Sequence, residues 1–253
     1  MICHIENIGT VDLSKPIDIS IAINGSPNQV NAFHLPFAQI TPFKEGDFIG
    51  SVEKGGPVNC YNVSFNPHGN GTHTECVGHI SKAHHSVNEE IKEYSGKAIL
   101  ITVELEQQAD GDRLITLENI KQKLSSAAAD NIVNPWAIVI RSLPNNISKK
   151  TELYSGNNPA YFEPEATEWL RLQGFKHLLT DLPSVDREED QGLLLAHHSW
   201  WNYPNTNGEG RSITELIYVD DSIIDGEYFL QLHIAAMESD ASASRVVLYD
   251  IIK

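Results

Sequence analysis

Ile17, Ile19, Ile21 and Ile23 alternate with Asp18, Ser20 and Ala22, a period of two that predicts a half-buried β-strand. Residues 24–57 are rich in Gly, Pro and Asn and read as long loops. Residues 58–65 regain strand character and lead straight into a histidine-rich stretch. Apolar runs over 97–104 and 136–142 predict strands of the buried type. Between them, Thr116 is placed to cap a helix reaching residue 129. A second helix is expected to start near Pro164, a residue suited to a first turn, and to stop at Gly174. Strands are predicted again over 175–181, 228–236 and 245–251. Early strands, central βα units and late strands together predict a mixed α/β fold with a twisted sheet. No internal repeat or Pro/Gly/Ser linker interrupts the pattern, so residues 1–253 read as one domain.

Composition narrows the partners. Hydrophobic residues at 41% and charged residues at 21% fit a globular chain with a substantial core. A formal net charge of -16 argues against nucleic acid and anionic membranes, which need clustered Lys and Arg. No stretch approaches the roughly 18 apolar residues of a membrane helix. The N-terminus lacks the basic start and apolar core of a secretory signal. Cys3, Cys60 and Cys76 are odd in number and widely spaced, which predicts reduced thiols in a cytoplasmic protein.

The chemistry is concentrated in Pro67-His68-Gly69-Asn70-Gly71-Thr72-His73-Thr74-Glu75-Cys76-Val77-Gly78-His79. Imidazole nitrogens and a carboxylate are the ligand set of zinc, manganese and similar divalent ions. His73 and Glu75, two apart, share a face of an extended segment. His68 and His73, five apart, share neither a strand face nor a helix face, and converge only if Gly69-Asn70-Gly71 turns the chain. Two other readings stand beside this one. His73, Cys76 and His79 could hold a structural zinc with a fourth ligand, or Cys76 could be a nucleophile paired with His79.

Gly71-Thr72-His73-x-Glu75-x-x-x-His79 resembles the His-x-Gly-Thr-His-x-Asp-x-Pro-x-His signature of the cyclase family, which includes bacterial kynurenine formamidases and isatin hydrolases. Other elements resemble the family in order along the chain. They are Asp12-Leu13-Ser14-x-Pro16-Ile17, Arg141-Ser142, Asp181-x-Pro183-Ser184-Val185-Asp186 with Ala196-His197, Thr214-Glu215-Leu216, and Asp240-Ala241-Ser242-x-x-Arg245. The resemblance implies a central mixed, twisted β-sheet of the swivelling β/β/α type flanked by helices, assembled as a homodimer or larger homo-oligomer. It implies metal binding through His68, His73 and Glu75, a second site completed by His197 and Glu215, and proton transfer by His79. The metal expected is divalent, zinc first and manganese second. The substrate expected is a small amide, hydrolysed as arylformamidases hydrolyse N-formylkynurenine in tryptophan catabolism.

Departures from the signature set the questions for the structure. The family's first histidine falls at Gly69, so His68 must be presented by a bulge or that ligand is missing. Glu75 replaces an aspartate, Val77 replaces a proline, and a polar, aromatic insertion over 200–211 separates His197 from Glu215. The N-terminal loop lacks the tryptophan that kynurenine formamidases set against an aromatic substrate. Trp200 and Trp201 read as packing, and His84, His85 and His198 as surface groups or supports. Asp240 and Arg245 read as a structural ion pair. The competing function is a metal-poor pseudoenzyme or small-ligand binding protein with the same fold, favoured by the displaced His68.

Overall fold

The computed structural model describes residues 1–127 and 136–252. Its main sheet contains β1 (Ile2–Ile5), β2 (Gly9–Asp12), β3 (Ile17–Asp18), β4 (His73–Glu75), β5 (Ser95–Glu104), β6 (Ala137–Leu143), β7 (His177–Thr180), β8 (Ser212–Glu215), β9 (Gly226–Ile234) and β10 (Ala241–Ile252). Three helices connect the central strands: α1 (Leu117–Ala127), α2 (Pro164–Leu172) and α3 (Leu195–Trp201). β5, β6, β7 and β8 run parallel, each joined to the next through one helix, as βαβ units require.

The expected mixed, twisted sheet is present, and its edges meet. β10, β9, β5, β6, β7, β8 and β4 follow one another, and β4 then pairs with β10, closing a seven-stranded mixed barrel. β1, β2 and β3 extend the β10 side outside this ring. The helices are as expected on a mixed α/β fold, but they flank a barrel rather than a layer.

Strand alternation sorts the core into two layers. Leu100, Val139, Leu179, Leu230 and Leu248 form one cluster built from strands around the ring and their flanking segments, without helix residues, which in a closed sheet is the interior. Their neighbours Ile99, Ile101, Ile138, Ile140, Leu178 and Ile213 face outward and pack on Ile120, Leu124, Ala166, Leu170, Trp200 and Trp201 of the helices. Trp200 and Trp201 are fully buried, in keeping with the packing reading.

Local chemistry places the elements. Thr116 Oγ1 accepts from Asn119 N at 3.3 Å, the expected cap of α1, and Glu163 Oε2 accepts from Leu117 N at 2.8 Å. The far end of that helix, expected at residue 129, lies outside the described residues. Pro164 opens α2, which ends just ahead of Gly174. The strand expected from Ile17 is cut to Ile17–Asp18, because Thr72 Oγ1 takes the Ile21 N–H at 2.7 Å and ties it to the signature segment. The strand expected over 58–65 forms as Tyr61–Ser64 and pairs with Gln39–Pro42 of the long early loops, which also hold a ribbon of Lys44–Glu45 with Phe48–Ile49.

Leu100 has no exposed surface and sits in the barrel interior. Leu100→Ala is expected to lower stability by about 2–5 kcal/mol, read as a lower urea midpoint with an unchanged slope.

A histidine and carboxylate cluster as candidate metal centre

The short strand β4 carries the centre of the site. His73 pairs in register with Glu215 on one side and Ala243 on the other, and Glu75 pairs with Ile213 and Ala241. Alternation sends Thr74 inward, where its hydroxyl bonds Thr214 Oγ1 at 2.8 Å. His73, Glu75 and Glu215 therefore share the outer face beneath α3, which supplies His197.

His68 reaches the same place by the turn the sequence called for. Pro67–Asn70 forms one helical turn, capped where Asn66 Oδ1 accepts from His68 N at 3.0 Å. Asn70 Oδ1 accepts from Asn66 N at 2.8 Å and locks the turn from its other end. A β-carbon at position 69 would lie 2.8 Å from both the Ala32 carbonyl oxygen and the Leu35 Cδ1. Position 69 has room only for glycine, and the histidine one residue earlier faces the cluster instead.

The cluster is dense. His68 Nδ1 is 3.1 Å from Glu75 Oε2, and His197 Nε2 donates to Glu75 Oε1 at 3.0 Å. His79 Nδ1 is 3.8 Å from Glu75 Oε2. Among the described residues, three overlapping groups each bring three ligand atoms within 4.8 Å of one another: His68, His73 and Glu75; Glu75, His79 and His197; and His68, His79 and Asp240. Every residue expected from the sequence, His68, His73, Glu75, His79, His197 and Glu215, is drawn to this one place.

Neighbouring groups fix the rings. A carbonyl can only accept, so His73 Nδ1 donates to Gly71 O at 3.1 Å. In the neutral ring its Nε2 is then a lone pair, 3.3 Å from Glu215 Oε2. Glu215 is held in place by Val185 N, which donates to Oε1 at 3.0 Å. His73 Nε2 and Glu75 Oε2 are buried without a hydrogen-bond partner. Acceptors facing one another in a buried site are the arrangement a cation between them would satisfy, and nitrogen and carboxylate donors suit a divalent metal. His197 Nδ1 donates to Asp186 Oδ2 at 2.6 Å, and Asp186 also accepts from Ala196 N at 2.8 Å and His197 N at 3.0 Å. A carboxylate behind a histidine is the usual way of orienting a ligating ring.

Electrostatics follow from this crowding. Burial alone would raise the Glu75 carboxyl, but the His79 charge and hydrogen bonding by His197 and His68 hold it well below its ordinary range. Burial would lower His68 and His197, yet bonds to Asp240 and Glu75, and to Asp186 and Glu75, raise both to about 10. The Asp240 carboxyl is held far below its ordinary range by His68 and His79, against burial.

Asp240 is the site residue that sequence reasoning missed. The expected Asp240–Arg245 pair does not form, since Arg245 Nε reaches Asp18 Oδ2 at 3.3 Å and Asp240 Oδ2 faces His68 and His79. Its place in the closing Asp-Ala-Ser element was the signal that could have found it. Asp186 was noticed in its motif without the role the structure gives it. Cys76 is fully buried, its Sγ donates to the His85 carbonyl at 3.7 Å, and burial raises its thiol to about 12. A thiol kept protonated is a poor nucleophile near neutrality, and Cys76 enters no ligand group among the described residues. His85 pairs with Glu90 at 2.7 Å and His198 with the Tyr203 carbonyl at 2.9 Å, away from the ligand groups.

Residues 11–187 match the family model described as "Putative cyclase". The chain belongs to the cyclase family. The matched span holds the His68–His79 run and Asp186, and ends before His197, Glu215 and Asp240. Among curated proteins none matches the chain. Solved structures share the cyclase fold. A potential metal-dependent hydrolase with cyclase activity aligns at 15% identity and TM-score 0.66, over 94% of this chain and 99% of its own. Isatin hydrolase A from Labrenzia aggregata, bound to benzyl benzoate, aligns at 15% identity and TM-score 0.66, over 94% of both chains. Isatin hydrolase A from Ralstonia solanacearum aligns at 17% identity and TM-score 0.64, over 93% of this chain and 91% of its own.

The raised histidines give a pH dependence to the metal-free protein. Their stabilising effect is complete below the ordinary 6.5 and is lost as pH rises through about 10. The urea midpoint of chelator-treated protein is expected to fall as pH rises across that window, and less so in His68→Ala.

Proposed function

We propose that this chain is a metal-dependent hydrolase of small amides, acting on a carbonyl–nitrogen bond in the manner of arylformamidases and isatin hydrolases. The observation that carries the reading is the convergence of His68, His73, Glu75, His197 and Glu215, all but His68 buried, with His73 Nε2 and Glu75 Oε2 unpaired. These five residues would hold the ion, His73 and His197 through Nε2 and His68 through Nδ1. Zinc suits this donor set best and manganese next. Such an ion supplies a Lewis acid that polarises an amide carbonyl and acidifies water near neutrality.

His79 is suited to the proton transfers. Its side chain keeps 29% of its surface, against 19% for His68 and less for His73 and His197. It is therefore the ring of the cluster most open to an incoming substrate. In this role it takes a proton from the attacking water and returns it to the departing nitrogen. The buried rings, held by Gly71, Glu75 and Asp186, are fixed donors rather than shuttles. The case for a metal-poor binding protein rested on a displaced His68, and its place 3.1 Å from Glu75 removes that support.

Purified protein reloaded with zinc or manganese is expected to hydrolyse N-formylkynurenine or isatin, followed by absorbance, and to lose that activity on chelation. His79→Ala should keep its metal, by elemental analysis, while turnover falls by about 100-fold or more. Loss of metal in that variant would make His79 a ligand. Failure of the wild-type protein to retain either metal would end the hydrolase reading.

Glu75→Gln removes the charge at the centre of the cluster. It is expected to weaken metal retention at least about tenfold, measured by competition with a chromophoric chelator.

A further inference from the structure

Asp240 stands between the two histidines whose duties differ most. One of its oxygens, Oδ2, lies 2.9 Å from His68 Nε2 and 3.4 Å from His79 Nδ1. A carboxylate only accepts, so each ring must donate its N–H to that oxygen. The consequence differs for the two rings. With Nε2 committed to Asp240, His68 has Nδ1, 3.1 Å from Glu75 Oε2, as the one atom it can offer the ion site. With its proton on Nδ1, His79 has Nε2 as its one basic atom. We propose that Asp240 is a positioning residue that selects, through this one oxygen, the working nitrogen of both His68 and His79. The inference rests on the hydrolase reading for its catalytic meaning, but not for its geometry.

Asp240 is itself firmly placed. Ser239 Oγ donates to its Oδ1 at 3.0 Å, and its backbone carbonyl accepts from Cys76 N at 2.9 Å. It immediately precedes β10, whose first residue Ala241 is in register with Glu75. Gly78 makes the approach possible, since a β-carbon there would lie 2.2 Å from the His85 carbonyl oxygen and 3.2 Å from Asp240 Cβ. The carboxylate thus has a fixed place relative to the signature segment. Its negative charge also favours the imidazolium that His79 becomes while it holds the substrate's proton, as a carboxylate behind a catalytic histidine does.

The alternative role is ligation, because His68, His79 and Asp240 also form one of the groups that could hold an ion. Asp240→Asn and Asp240→Ala separate the roles. The asparagine keeps an accepting oxygen and loses the charge; the alanine loses both. As a positioning residue, Asp240→Asn should keep wild-type zinc stoichiometry and a KM within about twofold, while kcat falls about 100-fold. Asp240→Ala should fall further and lose some zinc affinity, by about tenfold. Long-range proton–nitrogen spectra of the metal-stripped protein supply a readout that needs neither metal nor turnover. The wild type should show the His79 ring proton on Nδ1, and Asp240→Ala should lose that assignment.

A wild-type His79 protonated only on Nε2, or wild-type kcat in Asp240→Ala, would overturn the inference. So would loss of a metal equivalent in Asp240→Asn, which would make Asp240 a ligand. If the wild type binds no metal, the hydrolase reading fails by itself and the ring spectra still decide the role of Asp240.

Discussion

A carboxylate removed from water must be surrounded by charge or by hydrogen bonds, or it will take up a proton and lose its use. Glu75 has 1% of its side chain exposed, and its surroundings are arranged around that constraint. Three histidines approach its two oxygens from three segments: His68 on a helical turn, His79 just beyond β4, and His197 on α3. Each of those rings is in turn backed by another acid, Asp240 or Asp186. The result alternates acids and imidazoles, so no charge in the chain of contacts is left alone. Removing one member of such a network leaves its neighbours buried and uncompensated, typically at a cost of several kcal/mol.

Much of this was legible in the sequence, and for physical reasons. The spacing of His73 and Glu75 required only that the segment be extended, and it is. The need for a turn between His68 and His73 followed from the mismatch of five residues with either regular period. That the turn delivers His68 to the cluster was not legible, because it depends on Ala32 and Leu35 filling the space beside Gly69. Thr116 and Pro164 marked their helices because capping and first-turn preferences act locally. Closure of the barrel was hidden for the opposite reason. A period of two identifies a strand but not its neighbours, and a strand as short as His73–Glu75 shows almost no alternation.

Asp240 illustrates the same limit. It lies 161 residues from His79 in the chain, and its nearest oppositely charged neighbour in sequence, Arg245, suggested a local pair. Asp240 lies just ahead of β10, whereas Arg245 lies within that strand, where its guanidinium meets Asp18 instead. The acidic residue was recruited by β10 pairing with β4, an event no local pattern records. Cys76 errs in the other direction. Its spacing from two histidines was suggestive, but it points into an apolar pocket with Val87 and Ile91.

The pairing of β4 with β10 also fixes when the cluster can come into being. Asp240 and the strand that seals the barrel beside His73 and Glu75 come later in the chain than every other member of the cluster. A nascent chain that already displays His68, His73, Glu75, His197 and Glu215 still lacks the wall that holds them together. Assembly of the cluster therefore waits on β10, and a truncation that removes β10 removes the cluster along with the fold.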